Sequence, residues 1–409
     1  MLDTISEAPA APFGASVPRE PNGADAIELS VVMPCLNERD TLALCIESAQ
    51  RAIAECGVRA EIIIADNGST DGSQDIARAL GVRVVPVSER GYGAALIGGI
   101  NAARGRYVLM GDADDSYDFQ QIPRFVERLR EGYEMVQGCR LETGGGTVMK
   151  GAMPFLHRWW GNPMFSWMAQ KWFRAPIHDI HCGMRAFGRE AWHTLDQRCT
   201  GMEFASEMII KASLKGMRIA EVPIVLRPDG RSSGRTHLRT FRDGWRHLRF
   251  FLMFSPRWLF LLPGMLLMLL GAVGYGIAMP GLRIGPFGFD VHTLLFASLA
   301  VICGFQAITF AVFTKAFAIN EGMLPVDKRI QTLFERVTLE RGITVGVVSL
   351  VAAAALLAGA VYQWWSVGFG ALDVRHTMRW AIPGMMLAVI GVQTVFASFF
   401  LSILGMRRR

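Results

Sequence analysis

The stretch that decides the fold is Gly111-Asp112-Ala113-Asp114-Asp115-Ser116-Tyr117-Asp118-Phe119, which follows directly on Tyr107-Val108-Leu109-Met110. The four residues before it are apolar without alternation, the pattern of a strand buried on both faces of a parallel sheet. Asp112, Asp114 and Asp115 then leave the carboxyl end of that strand together. In open α/β sheets ligands bind at that end. Carboxylates this close repel one another unless a cation sits among them. Hard divalent cations such as Mg²⁺ or Mn²⁺ take oxygen ligands and share them with phosphates. An acidic turn or helix cap would need only one of the three.

From Ile27 to about Ala220 the chain alternates strands and helices. Glu28–Met33, Glu61–Ala65, Val82–Val87, Arg106–Met110 and Glu134–Gln137 read as strands. Thr41–Glu55, Gly72–Leu80, Gly93–Ala103 and Ile122–Arg130 read as helices. The pattern predicts a largely parallel sheet. Its first turn, Met33-Pro34-Cys35-Leu36-Asn37-Glu38, lacks the GxGxxG of a dinucleotide-binding domain, and GxxxxGK[ST] occurs nowhere. Pro34 and the carboxylate of Glu38 after the first strand suit a nucleoside, whose base and ribose want acceptors. In the second turn Asp66 and Asn67, next to Ala65, again offer acceptors at a strand end. Ser69, Thr70 and Asp71 can cap the helix that follows. The third turn, Gly91-Tyr92-Gly93-Ala94-Ala95, is glycine-rich and opens a helix, which permits close backbone approach to a ligand.

Taken together, these turns resemble glycosyltransferase family 2, with the GT-A fold, and within it the polyprenyl-phosphate branch that includes dolichyl-phosphate mannose and glucose synthases. The resemblance covers about Leu29 to Leu238. The family's PxYNE is similar to Pro34, Leu36, Asn37 and Glu38, with Leu36 in place of Tyr. DDGSxDG matches Asp66 to Gly72, with Asn67 for the second Asp. DAD matches Asp112, Ala113 and Asp114, and Asp115-Ser116 stands where the family has Leu-Gln. GxR matches Gly138, Cys139 and Arg140. D-x-x-x-G-x-R matches Asp179, Gly183 and Arg185, and the acidic helix matches Glu203 to Glu207. R-x-x-G-x-S-K-L resembles Arg231 to Leu238, with His237 for Lys. The QxxRW of processive synthases is missing.

The resemblance implies a metal held by Asp112, Asp114 and Ser116. It implies a donor site at Pro34, Leu36, Glu38, Ala65, Asp66, Asn67, Gly91, Gly93, Ala113 and Asp115. Acceptor phosphate contacts fall to Arg140, Arg185, Arg231, Arg235 and His237. His178, His181 and Cys182 could suggest zinc, but the spacing lacks a fourth ligand.

The chain has 409 residues, 51% of them hydrophobic, and a net charge of +6. That is too apolar for a wholly soluble protein of this size. The excess lies after Arg257, in Trp258–Met279, His292–Phe313, Ile343–Gln363 and Trp380–Met406, each long enough to span a bilayer. Gln306 and Thr309 in the second read as contacts between helices. Arg242, Arg246, Arg249 and Arg257 precede the first span. Lys315, Lys328, Arg329, Arg336 and Arg341 lie around the second connection, and Arg407, Arg408 and Arg409 end the chain. The positive-inside rule then puts both termini in the cytoplasm. Met1–Gly23 has no signal-peptide pattern and reads as a disordered tail. The seven cysteines include no CxxC and are expected to be reduced and mostly buried.

Two segments have the character of membrane-surface helices. Pro154–Phe173 sets Phe155, Trp159, Trp160, Phe165, Trp167, Trp172 and Phe173 among His157, Arg158, Lys171 and Arg174. Beyond it, Arg235, Arg239, Arg242, Arg246 and Arg249 recur at helical spacing beside Leu238, Phe241, Trp245, Leu248 and Leu252. This charge runs straight into a span, which excludes nucleic acid as its partner.

The expected organisation is a tail, 1–26; a cytoplasmic GT-A domain, 27–238, with an interfacial helix at 150–175; a juxtamembrane amphipathic helix, 239–257; and four transmembrane helices, 258–409. The expected activity is metal-dependent, inverting transfer of a hexose from a nucleotide diphosphate sugar of the GDP-mannose or UDP-glucose type. The acceptor is a polyprenyl phosphate, undecaprenyl or dolichyl, at the cytoplasmic face of the inner membrane. Two alternatives are a transferase to a lipid hydroxyl, with Asp179 as base, and a non-catalytic scaffold for a lipid flippase. The sequence is compatible with a homo-oligomer.

Overall fold

The computed structural model describes residues 26–231, 240–325, 332 and 338–405. All but the last residue of the expected tail, and Arg235, His237, Lys328, Arg329, Arg336 and Arg407 to Arg409, lie outside them. The elements of the first half are β1 Leu29–Cys35, α1 Leu42–Cys56, β2 Ala60–Asp66, α2 Ser73–Ala79, β3 Arg83–Pro86, α3 Tyr92–Ala102, β4 Tyr107–Met110 and α4 Ile122–Arg130. Then come β5 Met135–Cys139, β6 Thr147–Val148, α5 Asn162–Phe173, β7 Arg185–Gly188, α6 Arg189–Leu195, α7 Phe204–Leu214, β8 Ile219–Pro223, β9 Val225–Leu226 and α8 Thr240–Met253. Local chemistry sets several boundaries. α1 stops at Gly57, whose φ of 62° suits a residue without Cβ. α4 starts with Pro123 in its first turn and ends on Arg128 and Arg130, which complement its dipole.

The main sheet has seven strands in the order β3-β2-β1-β4-β7-β5-β8. β1, β2, β3 and β4 are mutually parallel, as are β5 and β8, so the parallel reading holds for these. β7 was not foreseen: it enters antiparallel between β4 and β5. Arg185-Ala186-Phe187-Gly188 is short, begins with a charge and ends on Gly, so it carries no strand signature. Alternate strand residues face two cores. Val31, Met33, Ile62, Ile64 and Leu109 pack with α1 and α4. Val32, Ile63, Val108 and Met110 pack with α3, α5 and α7. Phe250, Phe251 and Phe254, from α8 and the residue just beyond it, join the second core, so the juxtamembrane helix is welded to the sheet domain.

Four helices are long and apolar enough to cross a membrane: Arg257–Ala278, Val291–Asn320, Leu339–Ser366 and Val374–Gly405. They contain most of each expected window. Pro383 lies inside the fourth without ending it. The first span packs on the second, the second on the fourth, and the fourth on the third. Small residues allow the close approaches. A Cβ on Gly264 would lie 3.0 Å from the Gly304 carbonyl, and one on Gly391 3.0 Å from that of Gly346. The expected Gln306 contact is present, with Gln393 Nε2 donating to Gln306 Oε1 at 2.9 Å.

Candidate active site

The turn after β4 gathers its carboxylates at the sheet's carboxyl edge. Gly111 admits the ring of the fully buried Phe119, which a Cβ there would meet at 2.9 Å. Asp112 accepts from the Tyr92 hydroxyl at 2.9 Å. Asp114 Oδ1 accepts from Ser116 Oγ at 2.5 Å and from Ser116 N–H at 3.1 Å. Asp115 sits at φ 60°, a left-handed position Asp tolerates. Burial, then the Asp114 charge, pushes the Asp112 carboxyl well above the ordinary carboxylate range. Burial also raises Asp115, against the pull of Arg227. A desolvated carboxylate with a second one crowded against it fits a cation. Among the described residues no three His, Cys, Asp or Glu side chains are grouped to hold a metal. A cation here would therefore draw its remaining oxygens from Ser116, phosphate and water.

Arg140 and Asp179 form a bidentate pair beside this turn. Arg140 Nε donates to Oδ2 at 2.7 Å, Nη2 to Oδ1 at 2.8 Å, and the Arg140 N–H to Oδ2 at 3.0 Å. Asp179 is fully buried, and both its oxygens are engaged. Tyr117 OH accepts from the Gly183 N–H at 2.8 Å. A Cβ on Gly183 would come within 2.7 Å of Asp112 Oδ2, so the glycine is what lets this loop approach the carboxylate.

Arg231 closes the other side. Its Nε and Nη2 donate to Glu38 at 2.7 and 2.5 Å, and its Nη1 donates to Asp229 at 2.6 Å. Nη2 also lies 3.5 Å from Asp114. Arg185 does not join the group and is corrected here as a phosphate contact. It is fully buried, with its guanidinium donating to the carbonyls of Cys182, Ala205 and Ile180 at 2.9, 2.5 and 2.8 Å. Its donors are spent on holding the loop after Asp179 to α7.

The loops expected to hold a donor are largely engaged with the chain itself. Asp66 accepts from the N–H groups of Gly68 and Ser69 and from Gln74 Nε2, turning its carboxylate into its own loop. Asn67 donates to the carbonyls of Val87 and Glu89 and accepts from the Gly91 N–H. It latches the second turn to the third, which requires an amide. The glycines of the third turn do give close approach, but to the chain itself. A Cβ on Gly91 would meet the Thr200 carbonyl oxygen, and one on Gly93 that of Cys199 at 2.4 Å. Ala94 N–H donates to the same Thr200 carbonyl. The N-terminus of α3 is thus filled by backbone.

Pro34 pairs with Ala65 across β1 and β2, and Ala65 is fully buried. Ala113 is buried and its carbonyl accepts from Thr41 Oγ1 at 2.7 Å. Leu36 is exposed at the mouth. Asn37 takes φ 60° and zips the first turn to the second through Ser69 and Thr70. The zinc reading finds no support. His178 pairs with Glu221, His181 with Asn162, and the Cys182 thiol with the Met184 carbonyl. Tyr92, Tyr117 and Asp229 are the additions that sequence reasoning passed over. The two tyrosines lie inside stretches read only for glycine and carboxylate.

The segment around α5 combines two roles on opposite faces. Phe165 and Phe173 are buried in the second core, while Phe155, Trp159, Trp160 and Trp167 are exposed. Trp172 stacks on Trp258 of the first span, centroids 5.3 Å apart and planes at 14°. On α8, Phe241 and Trp245 are exposed, while Asp243, His247 and Phe251 face the core.

Comparison with known proteins agrees with this architecture. The family model described as "Glycosyl transferase family 2" matches residues 30–195, and "Glycosyltransferase family 2 C-terminal transmembrane region" matches residues 312–405. The low-salt glycan biosynthesis hexosyltransferase Agl6 of Haloferax volcanii is 38% identical over 379 residues, 92% of this chain and 89% of that protein. A dolichyl-phosphate hexose transferase of the same organism is 34% identical over 218 residues, 53% of this chain and 89% of that protein. Glucosyl-3-phosphoglycerate synthase from Mycobacterium tuberculosis, solved with Mn²⁺, UDP and glucosyl-3-phosphoglycerate, aligns at TM-score 0.44 and 22% identity. That alignment covers 55% of this chain and 78% of the other.

Proposed function

This chain belongs to glycosyltransferase family 2, and from that premise we propose that it moves a hexose, with inversion, from a nucleotide diphosphate sugar to a polyprenyl phosphate. The observation that carries the reading is the Asp112–Asp114 pair flanked by Arg140 and Arg231, with Asp179 already committed to Arg140. Mg²⁺ or Mn²⁺ held by Asp112, Asp114 and Ser116 would supply positive charge for the departing diphosphate. The protein's own part is positioning. Asp179 fixes the Arg140 guanidinium, whose fork suits phosphate oxygens. Arg231, held by Glu38 and Asp229, is a second cation that an incoming phosphate can draw away from Asp114.

A phosphate monoester has its second pKa near 6, so it is already a nucleophile at neutral pH and needs no base. A lipid hydroxyl would need one, and the residue best placed for that task, Asp179, has no free oxygen. The name of the dolichyl-phosphate hexose transferase supports the lipid phosphate. The intact carboxylate and arginine cluster speaks against a scaffold that has lost its chemistry. Arg242, Arg246, Arg249 and Arg257, with Lys315 and Arg341 near the ends of the second and third spans, support a cytoplasmic catalytic domain.

The test uses membranes containing the full chain and a panel of radiolabelled nucleotide sugars, with a short-chain polyprenyl phosphate or the matching polyprenol. Label is expected in the organic phase only with the phosphate, and is lost in EDTA. Transfer to the polyprenol alone would overturn the reading. For topology, a cysteine at Ser366 in a cysteine-free background is expected to label from outside, and labelling only from the cytoplasm would reverse it.

A further inference from the structure

The second and fourth spans are tied at three depths. At one end Arg375 and Arg379 reach Asp290 at 3.2 and 3.1 Å. At the other, Asn320 Nδ2 donates to the Leu404 carbonyl at 2.5 Å. Between them lies the Gln393–Gln306 bond. The end ties lie where water and head groups can share them, but the middle tie does not. Gln306 is at the midpoint of Val291–Asn320, a helix about 45 Å long crossing about 30 Å of hydrocarbon.

One hydrogen bond between two primary amides leaves half of each unspent. Gln393 Oε1 is enclosed without a partner. The Gln306 side chain is exposed, in a stripe with Phe296, Leu299, Cys303 and Phe310. At this depth an exposed amide faces lipid tails, which offer nothing to its N–H groups. Hydrogen bonds from such side chains are among the forces that join helices in membranes.

We propose that this face of the second span pairs with the same face of a second copy of the chain, the two Gln306 amides meeting across a two-fold axis normal to the bilayer. A second copy brings an identical amide at an identical depth, and an isologous contact sets like against like. Each Gln306 Nε2 donates to the Oε1 of the other, and that oxygen still accepts from its own Gln393. An isoprenoid chain has no group to take this place. The proposal rests on the membrane region alone and is independent of the transfer reading.

Cys303 lies one turn before Gln306 on the same face and reports on the contact. In membranes holding the full-length chain, oxidation with copper–phenanthroline is expected to give a covalent dimer that Cys303→Ser abolishes. Gln306→Leu is expected to lower the cross-linked fraction roughly tenfold. Because that change also removes the tie to the fourth span, Leu299→Trp provides an independent check. It adds bulk to the same face, and is read by co-purification of two differently tagged copies, which should fall likewise. Failure to find either a Cys303-dependent dimer or co-purification would overturn the proposal. So would a dimer undiminished in both variants, or cross-linking of Cys303 to a different protein.

Discussion

Two stretches of the same sheet edge use similar residues in opposite ways. In the turns after β2 and β3, Asp66, Asn67, Gly91 and Gly93 are closed on one another and on the chain. In the turn after β4, Asp112 is desolvated and crowded by Asp114, and its charge is only partly answered. The first pattern stores stability and sets the shape of the cleft. The second holds charge that the neighbouring groups offset only in part, which is what suits it to the cation proposed above. An acidic or amide residue at a strand end therefore says little until its partners are counted.

The sharpest way to break the comparison is at the crowded turn. Asp112→Asn and Asp114→Asn are each expected to lower transfer by about a hundredfold or more, with thermal unfolding little changed or raised, since a repulsion is removed. Unchanged rates in both, with full activity in EDTA, would abolish the distinction.

Asp179→Asn tests the same edge through its anchor. It leaves the Arg140 guanidinium buried against a neutral partner, and unfolding should become easier by about 3 kcal/mol. Activity in the fraction that remains folded should still rise with pH to a plateau as the acceptor ionises near 6. A rate that instead vanishes in stable Asp179→Asn protein would make this carboxylate the base.

At the closed turns, Asn67→Asp should act on folding before it acts on chemistry. It removes two donated bonds and sets a carboxylate against the Val87 and Glu89 carbonyls. The expected loss is about 2 kcal/mol, read by thermal unfolding. A normal melting temperature with weakened donor binding would mean that Asn67 faces the ligand after all.

A further effect, read through pH rather than through transfer, concerns another closed network, at the junction with α8. His247 bonds to Ser206 Oγ at 2.9 Å, and its ring lies 4.4 Å from that of His181. Burial lowers His247 to about 4, against the upward pull of Glu203 and Asp243, and Arg185 adds to the lowering. Burial and His247 itself also lower His181. The unfolded chain takes up these protons first, near 6.5, so stability should be flat above that pH and decline as pH falls from 6.5 towards 4. Melting curves across that range, with His247→Gln as the flatter control, measure it.

The strand and helix order as far as β5, the β4 turn and the four spans were legible because each is written locally, in runs of apolar residues and in adjacent carboxylates. What escaped depends on distant partners. Gly91 and Gly93 have a turn signature whoever approaches them, and the visitor is Thr200 and Cys199, far along the chain. Arg185 sits in a motif that promises a phosphate, yet it spends its donors on three carbonyls. Asp179 and Arg140 are 39 residues apart and each invites a separate role. β7 is four residues long and takes its place from its neighbours rather than its composition.

The union of α8 with the second core, and the Trp172–Trp258 stack beside it, has a kinetic consequence. A head bolted to its anchor at several points does not swing on a leash to search for substrate. The crowded turn then keeps a fixed height relative to the spans, and the lipid acceptor proposed above would have to reach it by lateral diffusion. The quantity that sets the encounter rate is then the acceptor's mole fraction in the leaflet. Diluting the membrane with inert phospholipid should slow turnover, whereas adding buffer that carries the donor at the same concentration should leave the turnover of each enzyme unchanged.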